Sequence, residues 1–188
     1  MADPVSAPRG GTRIPYPDPA TLSAEKREVL DNFSPMLNIM RILMVAPDPF
    51  WRAQRGLGRA AVVSTSISDR HRELLVLRVA YLSDSEYELY HHLPLGRNAG
   101  LSQAQCEAMR TGDYAVLDEQ ERALAQFVTE LVLNVTPSDE TLAAMRAHFP
   151  DPQMFEIVMI VGYYMMIARV IGVSGIQCDE MAVERWGR

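Results

Sequence analysis

Residues 68–92 read Ser68-Asp69-Arg70-His71-Arg72-Glu73-Leu74-Leu75-Val76-Leu77-Arg78-Val79-Ala80-Tyr81-Leu82-Ser83-Asp84-Ser85-Glu86-Tyr87-Glu88-Leu89-Tyr90-His91-His92, and this stretch decides the fold. Ser68 stands where an N-cap belongs, ahead of the run from Glu73 to Ala80, in which only Glu73 and Arg78 are charged. After the polar break, Ser85, Glu88 and His92 fall at i, i+3 and i+7, so they share one face of a second helix. His91 points about 100° away around that helix. A carboxylate and an imidazole on one face, with a second carboxylate on the preceding helix, can move protons without a metal or organic cofactor. Glu73, Glu88 and His92 are therefore the expected catalytic residues, with Ser85 and His91 as candidate substrate contacts and no cofactor. The plainer alternatives are structural. Ser85-x-x-Glu88 and Ser83-x-x-Glu86 each have the form of a capping box, and Glu73 could pair with Arg70 or Arg78 at the surface.

Working outward, the punctuation stays helical. Ser34-Pro35, Asp48-Pro49 and Asp151-Pro152 each place a capping side chain before a proline suited to the first helical position. Gly100 reads as a helix end, and Ser102-x-x-Gln105 as the capping box that opens the next helix. Asp118 and Ser138 open segments from Glu119 to about Asn134 and from Asp139 to about His148. No window alternates apolar and polar residues over strand length. The expectation is an all-α domain of eight or nine helices over residues 21–188, without internal repeats. It follows a proline-rich arm, residues 1–20, with Pro4, Pro8, Pro15, Pro17 and Pro19.

Composition bounds the partners. A net charge of −6 argues against nucleic acid or an anionic membrane surface as the main partner. The two cysteines, Cys106 and Cys178, lack CxxC or metal spacing and read as free thiols in a reducing cytosol, so a cytoplasmic location is expected. The N-terminus lacks the apolar stretch of a signal peptide. The uncharged run Ile157 to Ala168 is too short to span a bilayer and suits a helix buried on every side. In so small a domain, a second copy of the chain is the expected cover for part of it, so a homo-oligomer is expected.

The motifs Arg72-Glu73-Leu74-Leu75-Val76-Leu77-Arg78, Ser85-Glu86-Tyr87-Glu88-Leu89-Tyr90-His91-His92, Gly100-Leu101-Ser102 and Gly162-Tyr163-Tyr164-Met165-Met166 carry a family resemblance. From about Phe50 to Gly175 the chain resembles the carboxymuconolactone decarboxylase and AhpD-like alkylhydroperoxidase superfamily. That resemblance implies an AhpD-like bundle of about eight helices assembled into trimers, hexamers or similar oligomers. Peroxidase members carry a glutamate and then Cys-x-x-Cys-x-x-x-His. Laid on this chain, the glutamate falls on Glu73 and the histidine on His92, but the cysteines fall on Ser85 and Glu88. A hydroxyl cannot enter a disulfide, so thiol peroxidation by that route is excluded. Decarboxylase-type members also lack the pair and keep Glu-x-x-x-His, matched by Glu88 and His92, so their chemistry is the nearer one.

Metal readings fare poorly. Glu88-x-x-His91 is half of a di-iron motif with no second copy, adjacent His91 and His92 cannot share an ion, and His71 and His148 complete no zinc set. Gly56-Leu57-Gly58 lies in a helical pattern and lacks the third glycine of a phosphate loop. Arg52, Arg55 and Arg59, at i, i+3 and i+7, form a basic stripe; Arg52 and Arg55 are candidate grips for a substrate carboxylate, against the alternative of a solvated face.

The resulting expectation is a cofactor-independent lyase or isomerase acting on a small cyclic or aromatic-derived carboxylate, as in aromatic compound catabolism. Glu73 or Glu88 would supply the proton, and His92 a hydrogen bond to the oxygen that gains charge. The alternatives are an AhpD-like peroxidase, disfavoured by the missing cysteine pair, and a non-catalytic oligomeric binding protein.

Overall fold

The computed structural model describes residues 12–180. Among them are nine α-helices, one short 3-10 turn at Pro19–Thr21 and no strand, so the described residues are all-helical, as expected. The helices are α1 (Ala24–Asn32), α2 (Asn38–Leu43), α3 (Asp48–Val63), α4 (Asp69–Leu82), α5 (Glu86–Asn98), α6 (Gln103–Thr111), α7 (Glu119–Asn134), α8 (Asp139–His148) and α9 (Asp151–Ser174).

α4 is the centre. The Ser68 hydroxyl accepts from the His71 amide at 3.2 Å, and every side chain from Glu73 to Ala80 is buried, because α5, α6, α7 and α9 all pack on this helix. A helix covered on all sides needs the near-continuous apolar sequence found here. Leu75, Val76 and Val79 join Leu124, Phe127, Ile157 and Ile160 in the main core. Each such side chain contributes roughly 1.5–3 kcal/mol when fully buried.

The 83–85 break is a tight reversal. Ser83 caps the end of α4, Asp84 takes a left-handed φ of 49°, and the Ser85 amide turns back to the Ala80 carbonyl at 3.0 Å. Neither capping box that offered a structural alternative here forms: Ser83 belongs to the end of α4, and the buried Ser85 hydroxyl has no hydrogen-bond partner. The boxes at Ser102/Gln105 and Asp118/Glu121 form both of their bonds.

Three proline-linked starts differ from expectation. α3 and α9 begin one residue earlier, with Pro47 and Pro150 as N-caps. Asp48 and Asp151 thus sit inside the first turn, where a carboxylate favours the positive end of the helix dipole. Ser34-Pro35 opens no helix, since α2 follows Leu37. From Thr12, the described part of the N-terminal arm runs along the end of α9, where the Arg13 and Ile14 amides both donate to the Ser174 carbonyl. Pro4, Pro8 and the remaining residues of 1–11, like those of 181–188, lie outside the described residues.

α9 is packed on one side and open on the other. At 24 residues it has the length and composition of a membrane span. Its inner face (Met154, Ile157, Ile160, Val161, Tyr164 and Ile167) is packed into the molecule, as in a core helix. It is not covered on every side within one chain: Phe155 is 71% exposed and Met159 56% exposed, with Val158 and Val173 on the same open side.

Candidate active site

The tight reversal lays α5 back along α4, so the second turn of each helix meets the other. Glu73 Oε2 accepts from His92 Nδ1 at 2.7 Å. Glu73 Oε1 accepts from Arg72 Nε and Nη2 at 3.2 and 3.1 Å. His92 Nε2 faces Glu88 Oε2 at 3.4 Å, one helical turn back. The result is a continuous chain of charge, Arg72–Glu73–His92–Glu88, nearly closed to water. Glu73 is 1% exposed, Glu88 5%, and the His92 side chain 13%.

A carboxylate accepting from Nδ1 fixes the tautomer of neutral His92 and leaves Nε2 free to exchange a proton with Glu88. The electrostatics agree. Burial pushes the His92 imidazole down, but the Glu73 hydrogen bond and the charges of Glu73 and Glu88 outweigh it, and the net shift is upward. Burial, with Glu73 as a like charge, pushes the Glu88 carboxyl up against the opposing pull of His92. Both members of the pair therefore hold a proton above their ordinary ranges, as a carboxylic acid serving as proton donor must.

An aromatic ladder closes the outer side. The Tyr164 ring meets His92 edge-on, with centroids 5.2 Å apart at 86°, and Tyr163 meets Tyr164 at 5.5 Å and 85°. Tyr164 is buried and Tyr163 half-buried.

The expected residues divide into two groups. Glu73, Glu88 and His92 come together, and Ser85 caps the helix that carries Glu88 and His92, its hydroxyl unpartnered. His91 faces the other way, its Nε2 3.2 Å from Asp179 Oδ2 but outside hydrogen-bonding geometry. Arg52 and Arg55 are not brought to the cluster. Arg52 is exposed and paired with Glu25 at 2.6 Å, and Arg55 lies over the Trp51 ring at 5.6 Å. The alternative partners for Glu73 are engaged elsewhere. Arg70 holds Glu121 at 2.7 Å, and Arg78 donates to Thr129 Oγ1 and to the Met109 carbonyl. Sequence reasoning missed Arg72 because successive helical residues point about 100° apart; the long guanidinium stem reaches back around the helix. Tyr164 carried no signal beyond its place in an apolar run.

Among the described residues no set of three or more His, Cys, Asp or Glu is arranged for a metal ion. Cys106 and Cys178 are both free and belong to separate core clusters. Burial pushes both thiols up, Cys178 to about 11, so neither is a ready thiolate.

Residues 49–130 match the profile of the Carboxymuconolactone decarboxylase family. Among solved structures, the chain is similar to an uncharacterized peroxidase-related protein from Silicibacter sp. TM1040, with a TM-score of 0.78 and 16% identity over 96% of this chain and 98% of that one. A second is an uncharacterized peroxidase-related protein from Ralstonia eutropha JMP134, described as an alkylhydroperoxidase AhpD core, with a TM-score of 0.76 and 20% identity over 93% of this chain and 95% of that one. A third, from Agrobacterium tumefaciens, is a protein of unknown function described as a candidate antioxidant defence protein AhpD, with a TM-score of 0.65 and 24% identity over 72% of this chain and 93% of that one. No curated protein matches the chain. At these identities the likeness establishes the fold and not the reaction.

Proposed function

Because residues 49–130, which hold Glu73, Glu88 and His92, carry the carboxymuconolactone decarboxylase family segment, we propose that this protein is a cofactor-independent proton-transfer enzyme of the decarboxylase type. It acts on a small cyclic compound beside a carbonyl or lactone group. The observation that supports this reading best is the buried Glu73–His92–Glu88 relay, with contacts of 2.7 and 3.4 Å.

The step shared by decarboxylation and isomerisation is charge transfer into a carbonyl. A bond from the adjacent carbon breaks, to carbon dioxide or to a proton, and its electron pair enters the carbonyl as an enolate. His92 hydrogen-bonds to the oxygen that gains charge. In decarboxylation the Glu88 carboxylic acid gives its proton to the carbon that lost carbon dioxide, and the carboxylate left behind regains a proton from water through His92. In isomerisation or exchange the Glu88 carboxylate first takes the proton from carbon and then returns it, or one exchanged with water through His92, to carbon. Glu73, held by Arg72, keeps the imidazole oriented and stabilises its charged form, and Ser85 orients substrate or a water. A peroxidase reaction through a cysteine pair has no residues to run on, since Ser85 and Glu88 occupy those places.

The test is deuterium exchange. A panel of small cyclic ketones and lactones is incubated with the protein in heavy water and followed by proton NMR. Exchange at carbon beside the carbonyl, above buffer alone and lost in Glu88→Gln, supports the reading. No exchange with any member would sink it. We also propose that copies of the chain assemble through the open side of α9, with Phe155 and Met159 at its centre. Light scattering that returned the mass of one chain would refute assembly.

A further inference from the structure

α5 has a second face behind the relay. Glu88 and His92 belong to the relay, whereas Tyr87, Tyr90 and His91, at i, i+3 and i+4, all lie against Asp179. The helix is weakened between the two faces. Pro94 lies inside α5, has no amide hydrogen to give the Tyr90 carbonyl, and crowds that carbonyl with its ring. The turn from Tyr90 to Pro94 is the one that carries His92. A relay built on contacts of 2.7 and 3.4 Å needs that imidazole held in place, and the helix's own ladder is a bond short there.

The tie comes from outside the helix. Beyond α9, Ile176 is buried with Tyr87, Ile42 and Ile171, and this segment brings Asp179 behind α5. The Tyr87 hydroxyl donates to Asp179 Oδ2 at 2.5 Å, and the Tyr90 hydroxyl to the Asp179 carbonyl at 3.2 Å. Asp179 Oδ1 accepts from the Asn38 amide at 2.8 Å, in the first turn of α2, where the N-cap Leu37 offers no side-chain acceptor. Asn38 Nδ2 donates in turn to the Gln177 carbonyl at 3.1 Å, and the Ile39 amide to the Tyr87 hydroxyl at 3.2 Å. One residue thereby joins α2, α5 and the segment after α9. Phenylalanine at 87 would fill the same apolar cluster, so packing does not account for the hydroxyl.

We propose that Asp179 is a positioning residue for the relay: through the hydroxyls of Tyr87 and Tyr90 it fixes, from behind, the proline-weakened turn of α5 that holds His92 against Glu73 and Glu88. Its bearing on catalysis rests on the proton-transfer reading above, but the placement of His92 can be measured without a substrate.

The reporter is the titration of His92, followed by NMR on the whole histidine-labelled protein and assigned with His92→Gln. The groups facing that ring are Glu73 and Arg72 of α4, Glu88 and His91 of its own helix, and Tyr164 of α9, and the test variants leave all of them intact. A Tyr87→Phe, Tyr90→Phe protein keeps both rings and the net charge and removes both ties. The contact with Glu73 should then loosen and the His92 midpoint fall by about one pH unit, the low end for losing a carboxylate within reach. Asp179→Asn should shift it in the same direction, and it carries the test if the double variant does not fold. Glu180→Gln makes the same change of charge one residue further on and should leave the midpoint at its wild-type value. Arg13→Ala, which cuts the bond to the Gly172 carbonyl near the end of α9, should lower stability to urea without moving His92. A purely structural Asp179 would behave like Arg13. A folded double variant or Asp179→Asn protein whose His92 titrates as in wild type overturns the proposal, as does an equal shift in Glu180→Gln or Arg13→Ala. Absence of deuterium exchange with every substrate would sink the proton-transfer reading and leave this result standing.

Discussion

His91 and His92 are consecutive in α5, both largely shielded from water, and their imidazoles are driven in opposite directions. Burial pushes each of them down. At His92 a carboxylate accepting at 2.7 Å and a second at 3.4 Å overcome that pressure. At His91 the nearest carboxylate is already occupied: Asp179 Oδ2 accepts from the Tyr87 hydroxyl at 2.5 Å, and Oδ1 from the Asn38 amide at 2.8 Å. His91 sits between the Tyr87 and Tyr90 rings, at 4.4 and 5.3 Å, and its net shift is downward. One side of the helix is arranged to hold a proton and the other to fill a slot. Burial alone does not make a histidine functional; a carboxylate free to accept from it does.

Activity should expose the largest difference. Glu88→Gln should lower turnover on the exchanging substrate by about 10²- to 10⁴-fold with little loss of stability, whereas His91→Phe should stay within about threefold of wild type. Removing Glu88 and His92 together should cost little more than removing either, since the two act as one unit. A His91→Phe protein as inactive as Glu88→Gln would erase the distinction.

Stability should follow the same order. His92→Leu leaves the buried Glu73 without one of its partners and should cost roughly 3–5 kcal/mol, the usual result of breaking a buried pair. His91→Phe removes a nitrogen that already lacks a hydrogen bond and should cost about 1 kcal/mol. Urea unfolding of both variants beside wild type measures this, and equal costs would break the comparison.

The pH dependence sharpens it further. The His92 contribution to stability is complete below its unfolded value near 6.5 and fades as pH rises through its raised folded value. Glu88, also raised, adds to that decline on its own span above the ordinary carboxylate value. His91 runs the other way: its contribution is complete above about 6.5 and is lost as pH falls through its depressed folded value. The stability gap between wild type and His92→Leu should therefore narrow toward alkaline pH, and that to His91→Phe should narrow toward acid. Gaps that moved together would show that the two rings share one environment.

How much of this was legible in the sequence follows from the kind of signal each part leaves. The α4–α5 pair and the meeting of Glu88 with His92 rest on helical periodicity, which is local and survives folding. Glu73 joined them because the family spacing singled it out. Arg72, Tyr164 and Asp179 act through contacts made by side-chain reach or by distant chain segments, and no periodicity records those. The capping errors at Asp48 and Asp151 came from reading Asp-Pro as a boundary, where Pro47 and Pro150 had already turned the chain. The basic stripe of Arg52 and Arg55 was a true pattern with a different use, ion pairing and aromatic contact at the surface.

The smallest expected effect concerns sulfur. A thiol mechanism would need Cys106 or Cys178 as a nucleophile, and preferably both as a pair. Cys106, in α6, is buried with Leu74, Leu101 and Met109, while Cys178 packs near Ile167 and Ile171 beyond the end of α9. Both thiols are pushed up rather than down, so the thiolate that would attack a peroxide is scarce at neutral pH. A Cys106→Ala, Cys178→Ala protein should keep deuterium-exchange activity within about twofold of wild type, since neither thiol belongs to the relay's general acid–base machinery. Its stability should fall by only about 1 kcal/mol, the size of small changes in packing. Wild type should form no intramolecular disulfide when treated with tert-butyl hydroperoxide, as free-thiol titration and mass spectrometry would show. If turnover collapsed in the alanine protein, or if peroxide drew the two thiols into one disulfide, the proton relay would no longer explain what this fold does.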